Sequence, residues 1–310
     1  MLRRGLVVDG GNSQIDVIRC LRVRSPRIAP AYASGEYAGH VIRFVRKAEI
    51  LPSPNIWYHP EAYEQENHAQ DVDGDLWRIL RTQCDWAGRD VVDVGCGDGF
   101  HLPLFAETAR SVVGVEPHPP LVRRARGRTN GIVGIGVKQG PAQRLPLPSG
   151  SADLVHARTA YFFGPGCEPG LREADRVLRQ GGTLAIVDLD VRHSPYGDWM
   201  RADLPDYDPA EVDRFFAEQG FRCVRVETRW GFENLAAAES ALRIEFSPKV
   251  AAGAVREVLR RNGGLPAGPL TIPVGYRVLL REKPSGLVRL PRAVHFASAG
   301  PDSSISPRIP

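Results

Sequence analysis

The stretch VVDVGCGDG, residues Val91 to Gly99, decides the fold. Three valines around Asp93 make a β-branched run suited to a central parallel strand. Gly95, Gly97 and Gly99 then break that strand into a turn whose backbone, free of Cβ atoms, can press against a ligand. A strand that ends in such a loop is a place for a cofactor.

Spacing narrows which cofactor. A dinucleotide-binding turn sets its glycines in a G-x-G-x-x-G register so that a pyrophosphate can reach the helix N-terminus. Here the register is G-x-G-x-G, and Phe100 stands after Gly99. S-adenosylmethionine carries no phosphate, so the shorter pattern suffices for it. A second apolar strand, Ser111 to Val115, ends at Glu116, which lies 21 positions past Gly95. In this architecture a carboxylate at that distance accepts hydrogen bonds from ribose hydroxyls. The plain alternative is a solvated glutamate at a strand end.

From Val91 to about Arg281 the chain resembles the class I S-adenosylmethionine-dependent methyltransferases. Besides the glycine loop, the segment PAQRLPLPSGSADLVHA (141–157) resembles the family's link between strands three and four. LREADRVLRQGGTLAIVD (171–188) resembles its helix, its Gly181-Gly182 turn and its strand five. The resemblance implies an α/β, doubly wound Rossmann-like sheet of seven strands in the order 3-2-1-4-5-7-6, the last antiparallel, with an N-terminal helical cap. It implies S-adenosyl-L-methionine as cofactor, held by Asp93, Gly95, Cys96, Gly97, Gly99 and Glu116. Two positions depart from the pattern. Pro141 replaces an Asp that would pair with the adenine amino group, and proline offers neither a carboxylate nor an N–H. Adenine recognition then falls to the backbone N–H of Ala142 and to Gln143. Gln180 stands where the family has proline, which affects only the turn.

Upstream, SPNIWYHPEAYEQENHAQDVDGDLWRIL (53–80) has a Pro-rich entry followed by a helical pattern, and it resembles the cap helices that close over the methionine half of the cofactor in related enzymes. Tyr58, Tyr63 and Asn67 are the ligand-facing candidates, since an aromatic face attracts a sulfonium cation. Aromatics on such a helix can equally be core. Downstream, Asp208, Pro209 and Glu211 open a helix that Gly220 stops. Strand six is expected over 223–228, helices over 234–244 and 248–262, and the last strand over 271–281. The two extra helices are candidates to shape an acceptor pocket, to extend the core or to make a dimer contact.

Three residues at and after the end of strand four are the catalytic candidates. His156 is the best general base by its ordinary titration range, with a packed role as its alternative. Arg158 could hold an acceptor carboxylate, and Tyr161 follows close by. Asp188 and Asp190 could orient an acceptor or cap the next loop. Neither an Asn-Pro-Pro-aromatic nor a Pro-Cys signature follows strand four, so a small-molecule acceptor is favoured over nucleic acid.

The domain plan has three parts. Residues 1–50 form a basic extension, and its first 48 residues hold nine Lys or Arg against three Asp or Glu, a local charge of +6 in a chain of +4. That arm could contact phosphates, and the plain alternative is a poorly ordered leader. Residues 51–283 form the methyltransferase domain, and 284–310, rich in Pro, Ser and Gly, a flexible tail. Cys20, Cys84, Cys96, Cys167 and Cys223 follow no pairing pattern, which fits reduced thiols in a cytoplasm. No metal spacing and no membrane-spanning stretch is present. The rival readings are an RNA-modifying enzyme that uses the basic arm and a cofactor-binding protein without turnover; a nicotinamide dehydrogenase is the weakest rival, since Phe100 breaks its glycine register. The sequence leaves the oligomeric state open.

Overall fold

The computed structural model describes residues 50, 53–161, 164–264 and 268–285. The basic arm, nearly all of the tail, and thus the sequence expectations placed on them, lie outside the described residues. The described chain begins with three cap helices, α1 (Pro54–Tyr58), α2 (Pro60–Ala69) and α3 (Asp75–Gln83). There follow β1 (Asp90–Val94), α4 (Leu102–Ala106), β2 (Ser111–Glu116), α5 (Pro119–Arg128), β3 (Ile135–Gln139), β4 (Ala152–Arg158), α6 (Glu168–Val177) and β5 (Leu178–Leu189). The second half adds α7 (Tyr196–Asp203), α8 (Pro209–Glu218), β6 (Arg222–Phe232), α9 (Leu235–Glu245), α10 (Pro248–Arg261) and β7 (Leu270–Glu282).

The strands form one sheet in the order β3-β2-β1-β4-β5-β7-β6, with β7 antiparallel to both neighbours. This is the expected doubly wound topology. Its inner strands β1, β4 and β5 are buried on both faces because helices cover both. On β1 and β4, Val91 and Leu154 join one buried cluster with Leu80, Trp86 and Phe105. Val92 and Val155 join the other, with Leu171, Val177 and Phe216. Each such side chain contributes about 1.5–3 kcal/mol by leaving water.

Two differences from the sequence expectation have local causes. Strand five begins at Leu178, ahead of the Gly181-Gly182 turn. Leu178 pairs with Ala152 and Thr183 with Leu154, so residues 179–182 bulge out of the ladder, and Gly181 supplies the φ of +76° that the bulge requires. Strand six runs on to Phe232 because its far end stays paired with β7 up to Leu270. There the cap leans on it: Val72 N–H donates to Arg229 O at 3.1 Å. The Asp71 carboxylate accepts from Leu76 N–H, Trp77 N–H and the Thr228 hydroxyl at 3.1, 3.2 and 2.7 Å. The opening of α8 follows the sequence signal, with the Asp208 carboxylate accepting from Ala210 N–H at 2.8 Å.

Candidate cofactor and acceptor site

The turn after β1 is fixed by backbone bonds to β2. Gly95 N–H and Cys96 N–H both donate to Val115 O, at 2.8 and 3.2 Å. Gly95, Gly97 and Gly99 have φ of +74°, +57° and +82°, a region closed to most side chains. A Cβ on Gly97 would also meet Ile56 Cδ1 of α1 at 2.8 Å, so the cap already touches this loop.

Glu116 closes the turn from the side. Its two oxygens accept from Gly97 N–H at 3.1 Å and His118 N–H at 2.9 Å. Burial raises its carboxyl to about 7, against the opposing pull of those two donors. A cradle of three glycines beside an enclosed carboxylate suits the ribose and methionine parts of S-adenosylmethionine. The loop after β3 reaches the same place, since Gly140 N–H donates to Glu116 O at 3.1 Å, and Ala142 and Gln143 form the turn just beyond, half-buried. The Cys96 thiol packs where a Cβ on Gly114 of β2 would stand, and burial pushes it well up, so it stays a neutral filler.

Ion pairs tie the cap to this core. Arg128 of α5 binds the Asp98 carboxylate at 2.9 Å and also Glu64 of α2. Trp57 of α1 stacks on His118 with ring centroids 4.0 Å apart and planes 12° apart.

Beside the loop lies a cleft of about 290 Å³, mouth included, at the carboxyl ends of β4 and β5. Tyr63, Glu66, Arg158, Trp230, Glu245 and Tyr276 supply its main chemistry, from α2, β4, β6, α9 and β7. Two contacts join cleft to loop. Thr159 lines the cleft while the next residue, Ala160, stands 3.2 Å from a Cβ built on Gly95. Asn55 lines the cleft while the next residue, Ile56, covers Gly97.

Within the cleft, Asn55 Nδ2 donates to Glu245 Oε1 at 2.6 Å and Gln70 Nε2 to Glu66 Oε1 at 3.0 Å. Burial raises both carboxyls, that of Glu66 well above the usual range with the Glu245 charge adding to it. With both raised, the pair favours holding a proton over full ionisation. The Tyr63 hydroxyl is likewise pushed well up, by burial and then by Glu66 and Glu245. Arg158 Nη2 donates to Gln70 and to the Tyr276 hydroxyl, and its guanidinium lies 5.0 Å from the Tyr276 ring centroid. Its Nη1 is buried and unpartnered.

The other sequence candidates lie elsewhere. His156 has no exposed surface: its Nδ1 is 2.7 Å from Asp93 Oδ1, its register partner on β1, and its ring packs 5.0 Å from Phe105 and 6.2 Å from Trp77. The packed alternative therefore describes His156 in this state, and Asp93 serves it rather than the loop. Tyr161 is buried against Gly170 of α6 with no partner for its hydroxyl, away from the cleft. Tyr58 is 58% exposed and faces solvent, whereas Asn67 is buried. Asp188 is enclosed beside Arg277 of β7 at 3.4 Å, and burial lifts its carboxyl to about 6. Asp190 accepts from Arg192 N–H at 3.1 Å, which is the loop cap considered as its alternative, and from Arg225 at 2.9 Å. Glu66, Trp230, Glu245 and Tyr276 are cleft residues that the sequence reading missed. For Glu66 the available signal was helical spacing, since Tyr63 and Glu66, three positions apart, lie on one face of α2.

The strand order and the glycine loop are those that the resemblance to class I S-adenosyl-L-methionine-dependent methyltransferases implied. Comparison with known proteins agrees: residues 92–186 match the family model described as a methyltransferase domain. A fatty-acid O-methyltransferase of Mycolicibacterium smegmatis is 29% identical over 191 residues, covering 61% of this chain and 64% of that one. A probable S-adenosylmethionine-dependent methyltransferase of the same organism is 33% identical over 111 residues, 36% of this chain and 41% of its own. The chain thus spans less than two thirds of either relative's length. Among solved structures, the YcgJ protein of Bacillus subtilis is similar in fold, with a TM-score of 0.48 at 18% identity over 69% of this chain and all of that one.

Proposed function

We propose that the protein transfers the methyl group of S-adenosylmethionine to a small-molecule acceptor by in-line displacement, with the acceptor seated in the cleft beside the glycine loop. The observation that carries this reading is adjacency, because Gly95 and Gly97 each touch a residue whose chain neighbour lines the cleft. The cofactor supplies a methyl group already activated by a sulfonium, so the protein's tasks are alignment and the exclusion of water. Gly95, Gly97 and Gly99 would seat the methionine half, Glu116 the ribose hydroxyls, and Ala142 and Gln143 the adenine edge. Tyr63 would present its ring toward the sulfonium.

A cleft rather than an extended surface favours a small-molecule acceptor, and so does the name of the fatty-acid O-methyltransferase relative. Among the described residues no helix is long and apolar enough to cross a membrane, and the proposed setting is the cytoplasm. The test is transfer of labelled methyl from the cofactor into a cell extract separated into small-molecule and macromolecular fractions. Label in the small-molecule fraction is the expected outcome. Label in RNA, lost on removal of residues 1–48, would replace this reading with an RNA-modifying one. Cofactor binding with no labelled fraction would leave a binding protein.

A further inference from the structure

The cleft holds two carboxyls, and the cation nearest them does not pair with either. Glu66 and Glu245 are 3% and 6% exposed, and among the described residues neither lies within ion-pair distance of a Lys, Arg or His. Arg158 lines the same cleft, but Gln70 and Tyr276 hold its Nη2. Glu66 Oε2 is buried and, among the described residues, has no hydrogen-bond partner. Two buried carboxylates with one cation leave a net negative charge, and such a charge is costly unless something completes it. Without an acceptor, one proton on the pair does so. Trp230 and Tyr276 add aromatic surface to the same wall, and Tyr63 adds more from α2.

We propose that the Glu66 and Glu245 pair is the seat of an amine on the methyl acceptor, which enters as an ammonium, displaces the shared proton and returns one proton to the pair before attack. This rests on the methyl-transfer reading and names the acceptor class for that cleft. The charge count closes in both states. The singly protonated pair balances Arg158, and the fully ionised pair balances Arg158 plus one ammonium. The step also balances in atoms and electrons. The bound ammonium gives a proton to the ionised pair, and the freed nitrogen lone pair forms the bond to the methyl carbon. The carbon–sulfur bond breaks with its electrons left on sulfur. The products are S-adenosylhomocysteine, a methylated ammonium and a proton on the pair that leaves to solvent. The other titratable groups facing the pair are Tyr63 on α2, Tyr196 on α7, Tyr276 on β7 and Arg158 on β4. The three phenols are all raised by burial and stay neutral, so the pair is the group that exchanges the proton.

Three probes of one shape and different charge test this on the full chain saturated with S-adenosylhomocysteine: benzylamine, benzyl alcohol and benzoate, titrated calorimetrically near neutral pH. Benzylamine is expected to bind at least about ten-fold tighter than the alcohol. Its heat should differ between buffers of low and high ionisation enthalpy in the sense of proton release. Glu66→Gln and Glu245→Gln keep shape and hydrogen bonding while removing charge, and each should collapse the preference for the amine while leaving homocysteine-ligand affinity unchanged. The proposal is overturned if the alcohol or benzoate binds as tightly as the amine, if none of the three binds, if no proton is released, or if both variants retain the preference. The proton count on the unaltered protein decides the matter even should a variant fail to fold. Failure of S-adenosylhomocysteine itself to bind would instead overturn the methyltransferase reading.

Discussion

Between Asp90 and His118 the chain builds half of its site from one strand, one loop and the next strand, whereas the cleft beside it draws Asn55, Glu66, Arg158, Trp230, Glu245 and Tyr276 from six separate elements. The first half is held by backbone bonds from Gly95 and Cys96 to Val115, and from Gly97 to Glu116. The second is held by side chains over long separations, such as Asn55 to Glu245, 190 positions apart. The loop half is therefore set by local covalent geometry and the cleft half by the docking of the cap and of α9. One can be disturbed without the other, and substitutions can separate them.

The largest effect should come from Gly97→Arg. A side chain there is strained at φ +57° and collides with Ile56, so S-adenosylhomocysteine affinity should fall more than about 100-fold. Near-normal binding by titration calorimetry would break the assignment of the loop half. Glu116→Ala comes next. It removes the acceptor for the ribose hydroxyls and for two backbone donors, a loss of about 1–3 kcal/mol in cofactor binding. An unchanged dissociation constant would place the ribose elsewhere.

Arg128→Ala sharpens the contrast, because it unties α2 from the loop at Asp98 while leaving the loop's own bonds to Val115 and Glu116 in place. It leaves Asp98, 2% exposed, without its cation, and thermal unfolding should show a loss of about 1–2 kcal/mol. The cleft's binding of small probes should weaken more than the loop's binding of cofactor; equal weakening of both would mean that the two halves form one unit.

A smaller effect is the pH dependence of stability in the cofactor-free protein. The Glu116 carboxyl titrates near 7 in the fold and near its ordinary 4.5 unfolded. Between those values the folded state binds more protons, so this contribution is complete below 4.5 and is lost as pH rises through 7. Melting temperatures across that window should fall with rising pH, and Glu116→Gln should flatten the slope. A slope unchanged in the variant would assign the dependence to other buried carboxyls such as Glu66, Glu245 and Asp188. Smallest of all is Tyr161→Phe, since its hydroxyl has no partner; stability should move by less than about 0.5 kcal/mol and methyl transfer should not change. A large fall in transfer rate would return Tyr161 to the chemistry.

The same contrast explains what the sequence made legible. The glycine loop and the end of β2 at Glu116 follow from a β-branched run, a glycine register and one carboxylate in a short stretch of chain, whereas the strand order came only with the family resemblance that those motifs carry. His156 could be placed at a strand end but not seen as covered, because Trp77, which packs over it, arrives from a cap helix 79 positions away. Tyr161 turns inward because Gly170 leaves room for its ring, a fact of packing between the end of β4 and α6. Glu66 and Glu245 each look like an ordinary solvated helix residue, and only docking of α9 against α2 brings them together. The Gly181-Gly182 pair was legible as a turn but not as a bulge inside β5, because that depends on the register with β4.

The central claim is that the glycine loop and Glu116 hold S-adenosylmethionine, and the most direct measurement is a calorimetric titration of the full chain with S-adenosylhomocysteine, with NAD as control and Gly97→Arg alongside. The account predicts micromolar binding of S-adenosylhomocysteine, none of NAD, and loss of the former in the variant. Absence of S-adenosylhomocysteine binding to the unaltered chain, or equal binding of NAD, would contradict it.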